Sequence, residues 1–328
     1  MNHRRKLVIA LGASALAAPF GAFAQQQGKI WRIGRLLERD PSDYVPSFDA
    51  FKAGMRELGY TEDKNYVIEQ RSAQSELARL PALAAELLAL KVDLILSSGT
   101  PSAVAARNAT REIPILIITV GDPIGAGLAA TLARPGGNVT GVTALTSELV
   151  TKRLDLLRQL LPGMRRVAML YDPDNLADAL SLKRFESDCA KLKLNPIHAP
   201  VRKAQEIEAA FNTLKRDKVQ GLIVTNSTTM TGSRQTIIQQ AAKHRLPAIY
   251  GLSLFAESGG LITYSANAAD LNRRAAVYAD KIFKGAKPGD LPIEQPTKFE
   301  TVLNLKAAKA LGIKIPDVIM LRADKVIE

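Results

Sequence analysis

The stretch LARLPALAAELLALKVDLILSSGTP, residues 77–101, decides the fold. Leu77, Leu80, Leu83, Leu87 and Leu90 recur at helical spacing and predict a helix over 77–90 with one apolar stripe. Val92 to Leu96 then reads as a short, mainly apolar strand of the kind buried on both faces. The turn Ser97-Ser98-Gly99-Thr100-Pro101 follows, with Pro at a helix start. Helix, buried strand and polar turn in that order are one unit of a parallel sheet covered by helices.

Extending the same reading outward gives two α/β units. On the N-terminal side stand strand 31–37, helix 48–58 and strand 66–71; on the C-terminal side, helix 101–110, strand 115–120 and strand 139–143. After a break near 144–150 the alternation restarts, with strands at 167–171, 196–200, 221–225 and 248–250. Helices at 148–161, 178–192, 204–216 and 233–244 separate them. The last quarter holds a strand at 261–264, a helix at 269–284 and a Pro- and Gly-rich extended segment at 287–296. Segment 297–304 and a helix at 305–311 follow it. That tail is too short for a third domain, so it returns to complete the two units, and a chain crossing repeatedly between lobes predicts a hinge.

The first 24 residues have a basic tip (His3, Arg4, Arg5, Lys6), an apolar run over 7–23 and the triplet Ala22-Phe23-Ala24. This is the order of a cleaved export signal, and ordinary secretion fits better than the twin-arginine route, whose flanking residues are missing. The 328-residue chain has a formal charge of +12; processing would leave about 304 residues and about +9. The remaining Lys and Arg are scattered on helix faces with no basic stripe or interleaved aromatics, so no nucleic-acid site is expected.

Catalytic patterns are absent. The exported part has two histidines and one cysteine, too few for a metal cluster, and no G-x-S-x-G, H-E-x-x-H or Walker A pattern. Neither cofactor nor metal is expected. Cys189 reads as a small buried thiol. Gly125-Ala-Gly127-Leu-Ala-Ala130 imitates a dinucleotide fingerprint, but Asp122 would sit where pyrophosphate docks. A tight turn leading into a short helix is the expectation there.

Parallel sheets bind ligands beyond the carboxyl ends of their strands. Those ends supply Ser98, Gly99 and Thr100, whose hydroxyls and free N–H groups suit a carboxylate, and Asp122, which either pairs with an ammonium or caps its turn. The second unit supplies Tyr171, Asn226 and Tyr250, suited to a small polar molecule.

Several segments together carry a resemblance. They are Phe51-Lys-Ala-Gly54-Met-Arg-Glu57-Leu-Gly59-Tyr60, Arg79-Leu-Pro81-Ala-Leu-Ala-Ala-Glu86-Leu, and Gly121-Asp-Pro123-Ile-Gly125-Ala-Gly127. Arg134-Pro-Gly-Gly137-Asn-Val-Thr-Gly141, His244-Arg-Leu-Pro247-Ala-Ile-Tyr250-Gly251 and Gln295-Pro-Thr-Lys-Phe-Glu300 through Leu311-Gly312 continue it. In this order they resemble the tryptophan/tyrosine-type substrate-binding proteins of bacterial ABC importers. The resemblance implies a type I periplasmic binding protein fold, two doubly wound parallel-sheet lobes joined by three crossovers. Lobe 1 would take residues 25–144 and about 265–290; lobe 2 would take 145–264 and about 291–328. It further implies a monomer in the periplasm that captures a small ligand between the lobes and passes it to an ABC permease. A sensor acting through a receptor and an exported carboxylate-dependent enzyme are the alternatives. The loop Leu37-Glu38-Arg39-Asp40-Pro41 is more charged than is usual in that family. Because it faces the expected cleft, Glu38 joins the candidate ligand contacts, and the family name does not by itself assign an aromatic amino acid.

Overall fold

The structure, a computed structural model, describes residues 29–328. The expected export segment lies outside the described residues. Among those described, no helix is long and apolar enough to cross a membrane.

The first lobe is built from β1 (Trp31–Leu37), α1 (Val45–Glu57), β2 (Tyr66–Ser72), α2 (Leu80–Ala89), β3 (Leu94–Ser98), α3 (Thr100–Ala109), β4 (Ile115–Val120) and β5 (Val139–Thr143). Its five strands are all parallel in the order β2-β1-β3-β4-β5. The apolar stripe of α2 does what its spacing predicts: Leu80, Leu83, Ala84 and Leu87 are buried against one face of the sheet. Strand β3 is buried along its whole length. It begins at Leu94 rather than Val92, because Lys91 turns with φ 55° and Asp93 N–H already bonds Arg32 C=O before the ladder starts.

The second lobe contains α4 (Leu149–Leu160), β6 (Arg166–Tyr171), α5 (Leu176–Lys191), β7 (Asn195–Pro200), α6 (Ile207–Arg216) and β8 (Gly221–Val224). Helices α7 (Thr228–Gly232) and α8 (Arg234–Lys243), strand β9 (Ala248–Tyr250), helix α9 (Ser253–Glu257) and strand β10 (Ile262–Ala266) follow. The single helix expected over 233–244 is thus α8, preceded by a separate turn of helix that Ser227 caps.

Helix α10 (Ala268–Phe283) then crosses back. Capped by Asn267, it buries Leu271, Ala275, Ala276, Tyr278 and Ala279 in the core of the first sheet beside Phe48, Phe51 and Met55. The following extended segment stays there, with Ile293 in the opposite core. The chain returns as β11 (Phe299–Asn304), antiparallel to β10, then α11 (Leu305–Leu311), α12 (Asp317–Met320) and β12 (Lys325–Ile327). The second sheet therefore runs β12-β11-β10-β9-β8-β6-β7. The chain passes between sheets after β5, after β10 and before β11.

Two local features shape the rim between the lobes. The β4–β5 ladder pairs Ile117 with Gly141 and then Val120 with Thr143, so β4 carries one extra residue, a bulge. Thr119 within it has φ 61°, an unusual value for a β-branched residue and one of the strained conformations that cluster at functional sites. Residues 125–130 form turns and no helix, correcting the expectation of a short helix there. The Cys189 thiol is buried, and desolvation raises it to about 12, so it does not ionise near neutrality.

Candidate ligand-binding cleft

The carboxyl ends of both sheets converge on one cavity of about 330 Å³, lined by residues of both lobes. Glu38, one residue beyond β1, enters from the first lobe, with Ser98, Gly99 and Thr100 from the β3–α3 turn. Asn226, two residues beyond β8, enters from the second lobe. The structure brings these five together and leaves three other expected contacts out. Asp122 does not line the cavity: its Oδ1 accepts the N–H groups of Ile124 (3.1 Å) and Gly125 (2.9 Å), so it caps its own turn. Tyr171 is packed in the core under α4. Tyr250 is stacked on Phe255 with ring centres 4.7 Å apart, in the core on the other face of that sheet.

Other lining residues had no signal in the sequence. Tyr44 comes from a single 3₁₀ turn, Pro41–Tyr44, and supplies the aromatic wall, with the Arg39 guanidinium 4.8 Å from its ring centre. Thr119 and Thr146 come from the bulge and the first crossover, Asn267 from the second, and Glu300 from the start of β11 just past the third. Crossover residues are recognisable as lining only once the three passages are placed.

Glu38 is the most constrained polar group. It is 4% exposed, and its Oε1 accepts the backbone N–H of Ser102 at 3.1 Å in the first turn of α3. Oε2 accepts the Thr228 hydroxyl of the second lobe at 2.5 Å. Gly99 makes room for it: with φ 109°, a Cβ at this position would stand 2.3 Å from Oε1. The turn read from sequence as a carboxylate site thus holds the protein's own carboxylate. A second interlobe link joins Asp43 to Arg234 at 3.0 Å, and Asp43 also pairs with Arg39 at 3.3 Å. Desolvation raises the Glu38 carboxyl, opposed by its hydrogen bonds with Thr228 and Ser102.

Asp178, at the start of α5, holds the second lobe's rim. Asn175 accepts the Asp178 N–H at 3.1 Å, while the Asp178 carboxylate accepts from Asp172 N–H at 2.9 Å and from the Thr225 hydroxyl at 2.6 Å. Burial nevertheless raises its carboxyl from 3.8 to about 6. The folded state therefore favours protonated Asp178: this contribution to stability is complete below about pH 4 and is lost as the pH rises through about 6. Asp178→Asn should gain on the parent by up to about 3 kcal/mol between those limits. Urea titrations of both proteins at pH 4 and pH 7 measure it, and an unchanged difference between them would contradict the assigned burial cost.

Two α/β lobes thus meet on one small cavity of a size to hold a small molecule. The comparisons agree. A family model for ABC transporter substrate binding proteins matches residues 37–327, and the chain belongs to that family. A tyrosine-binding protein of Clostridioides difficile strain R20291 is 27% identical over 273 residues, 82% of this chain and 78% of that one. A Streptococcus pneumoniae ABC domain in complex with L-Trp superposes with TM-score 0.84 at 25% identity, over 91% of this chain and all of that one. A ligand-free, open substrate-binding protein with adhesive properties from Clostridium difficile gives TM-score 0.70 at 26% identity, covering 91% and 99%. The dinucleotide-like glycines Gly125 and Gly127 lie in a turn, and the fold is the type I binding-protein fold.

Proposed function

We propose that this protein is the exported solute-binding component of an ABC importer, which captures a small polar or amino-acid-like ligand between its lobes and delivers it to a permease in the inner membrane. The observation that carries this reading is a cavity at the carboxyl ends of both sheets, lined from both lobes and bridged by Glu38–Thr228 and Asp43–Arg234. A ligand touching both lobes favours the closed arrangement because it gains its second set of contacts only there. The higher TM-score against the L-Trp complex than against the open, ligand-free relative, at nearly equal identity, supports a closed arrangement here. The protein would act as a periplasmic monomer after loss of residues 1–24. The lobe division expected from sequence enters the same reading, with the first lobe extended to about residue 295 because Ile293 lies in its core.

The site residues can be tested as a pair. Asn226→Ala should weaken ligand binding about tenfold, the loss expected for one good hydrogen bond. Asp122→Ala should leave affinity unchanged and lower stability by about 1 kcal/mol through the lost cap. Calorimetric titration with the co-purified ligand, alongside thermal melts, checks both. Reversal of the two effects would move the site out of this cavity.

A further inference from the structure

Resting on the reading of this cavity as the ligand site, a narrower ligand class follows from its charges. We propose that the cavity selects a small organic ammonium compound lacking a carboxylate, and that Glu38 is the residue that rejects the corresponding amino acids.

The first turn of α3 is the natural seat for a ligand carboxylate. Its N-cap is Gly99, which has no side chain to satisfy the free N–H groups. Glu38 already occupies that seat, with Oε1 on Ser102 N–H and the hydroxyl of Ser102 3.2 Å away. A second carboxylate brought to the same turn would meet a like charge at contact distance in a buried site, and such a built-in repulsion is one of the two ways a site discriminates between ligands.

The rest of the lining has the same sign. Five acidic residues line the cavity, Glu38, Asp43, Asp178, Glu257 and Glu300, against one basic residue, Arg39. Asp43 is paired with Arg39 and Arg234, and Glu257 with Lys325. Among the described residues, no Lys or Arg stands within 4.0 Å of Glu38, Asp178 or Glu300. Burial raises all three carboxyls even though Arg39, Arg153 and Lys325 attract Glu38, Asp178 and Glu300 respectively; none of these cations touches its carboxylate, and a bound ammonium would. The Thr146 hydroxyl, on a residue 5% exposed, also lines the cavity and has no hydrogen-bond partner. A protein with formal charge +12 that encloses a net acidic cavity has concentrated the minority sign at its ligand site.

Two probe pairs that differ only by the carboxylate, tyramine with tyrosine and tryptamine with tryptophan, test the proposal by calorimetric titration of the processed protein. The amine of at least one pair should bind ten times or more tighter than its amino acid. Glu38→Gln, which keeps the shape and an acceptor for Thr228, should shrink that ratio at least tenfold, and its melting curve confirms that it folds. Tighter binding of an amino acid by the parent protein, or a ratio unmoved by Glu38→Gln, overturns the proposal while leaving the cavity as a ligand site. If neither pair binds, the charge of the co-purified molecule decides: a cation without a carboxylate supports the proposal, and an acid or neutral sugar overturns it. Absence of any bound small molecule would instead count against the binding-protein reading itself.

Discussion

Gly141→Ala is expected to destabilise the first lobe by about 4 kcal/mol or more, at the far end of what single substitutions do. Gly141 has φ 136°, and a Cβ there would stand 2.2 Å from the carbonyl oxygen and 2.8 Å from the nitrogen of Ile117. Both are backbone atoms of the neighbouring strand, so no side-chain rotation relieves the contact. The chain must either open the β4–β5 pair or lose the bulge that carries Thr119 into the cavity. The Gly141 carbonyl also accepts the Glu294 N–H at 2.9 Å, which ties the last crossover to this strand. Trp31 is the sole tryptophan, and it stacks on Phe283 in the first lobe with ring centres 4.3 Å apart. Its fluorescence therefore reports this lobe. The substitution should shift the fluorescence transition in urea further than the far-ultraviolet dichroism, which averages both lobes. Coincident shifts of under about 1 kcal/mol would show that the strand tolerates a side chain.

Arg153→Ala should produce the opposite pattern. Arg153 on α4 is 2% exposed and is the largest fully buried side chain. Its Nε donates to the Tyr264 carbonyl at 2.9 Å, and Nη2 lies 3.5 Å from that of Gly251. One guanidinium thus holds α4 to the middle of β10 and to the residue just past β9. Desolvation lowers it to about 10, and Asp178 supplies part of the opposing attraction, so it remains charged at neutral pH. Truncation removes a large packed volume and leaves buried carbonyls unpaired, at a cost of about 3–5 kcal/mol. Arg153→Met should recover part of the packing component and none of the hydrogen bonding. The dichroism transition should move while the Trp31 transition moves less. Equal stability of Arg153→Ala and the parent would mean the guanidinium is replaceable by water.

The order of elements was legible because apolar runs such as Leu94–Leu96 and stripes such as Leu80, Leu83 and Leu87 alternate with little ambiguity. The family segments were legible as well, and the structure gives one of them its reason: Gly141 is required by the Ile117 backbone. Side-chain direction at strand ends was not legible. Ser98, Tyr171 and Tyr250 each end a strand, yet only Ser98 reaches the cavity, because the pleat turns the two tyrosines onto helix-covered faces. Asp122 had two readings, and local geometry decided for the cap, whose partners lie only two and three residues away. Tyr44 stood on a turn too short to predict, and Glu300 on a strand that returns antiparallel from the other lobe. Glu38 was visible as a charge in an unusual loop. Its partners Ser102 and Thr228 lie 64 and 190 residues away, and only the folded molecule brings them together.

The central claim is that the protein holds one intact small molecule between its lobes. Native mass spectrometry of freshly purified processed protein, repeated after denaturation, tests it most directly. The account predicts a native mass exceeding that of the chain by one small molecule. The molecule should be released unaltered on unfolding, and its occupancy should fall in Asn226→Ala but not in Asp122→Ala. A native mass equal to that of the bare chain in every preparation, or conversion of the added molecule into a product, would contradict it.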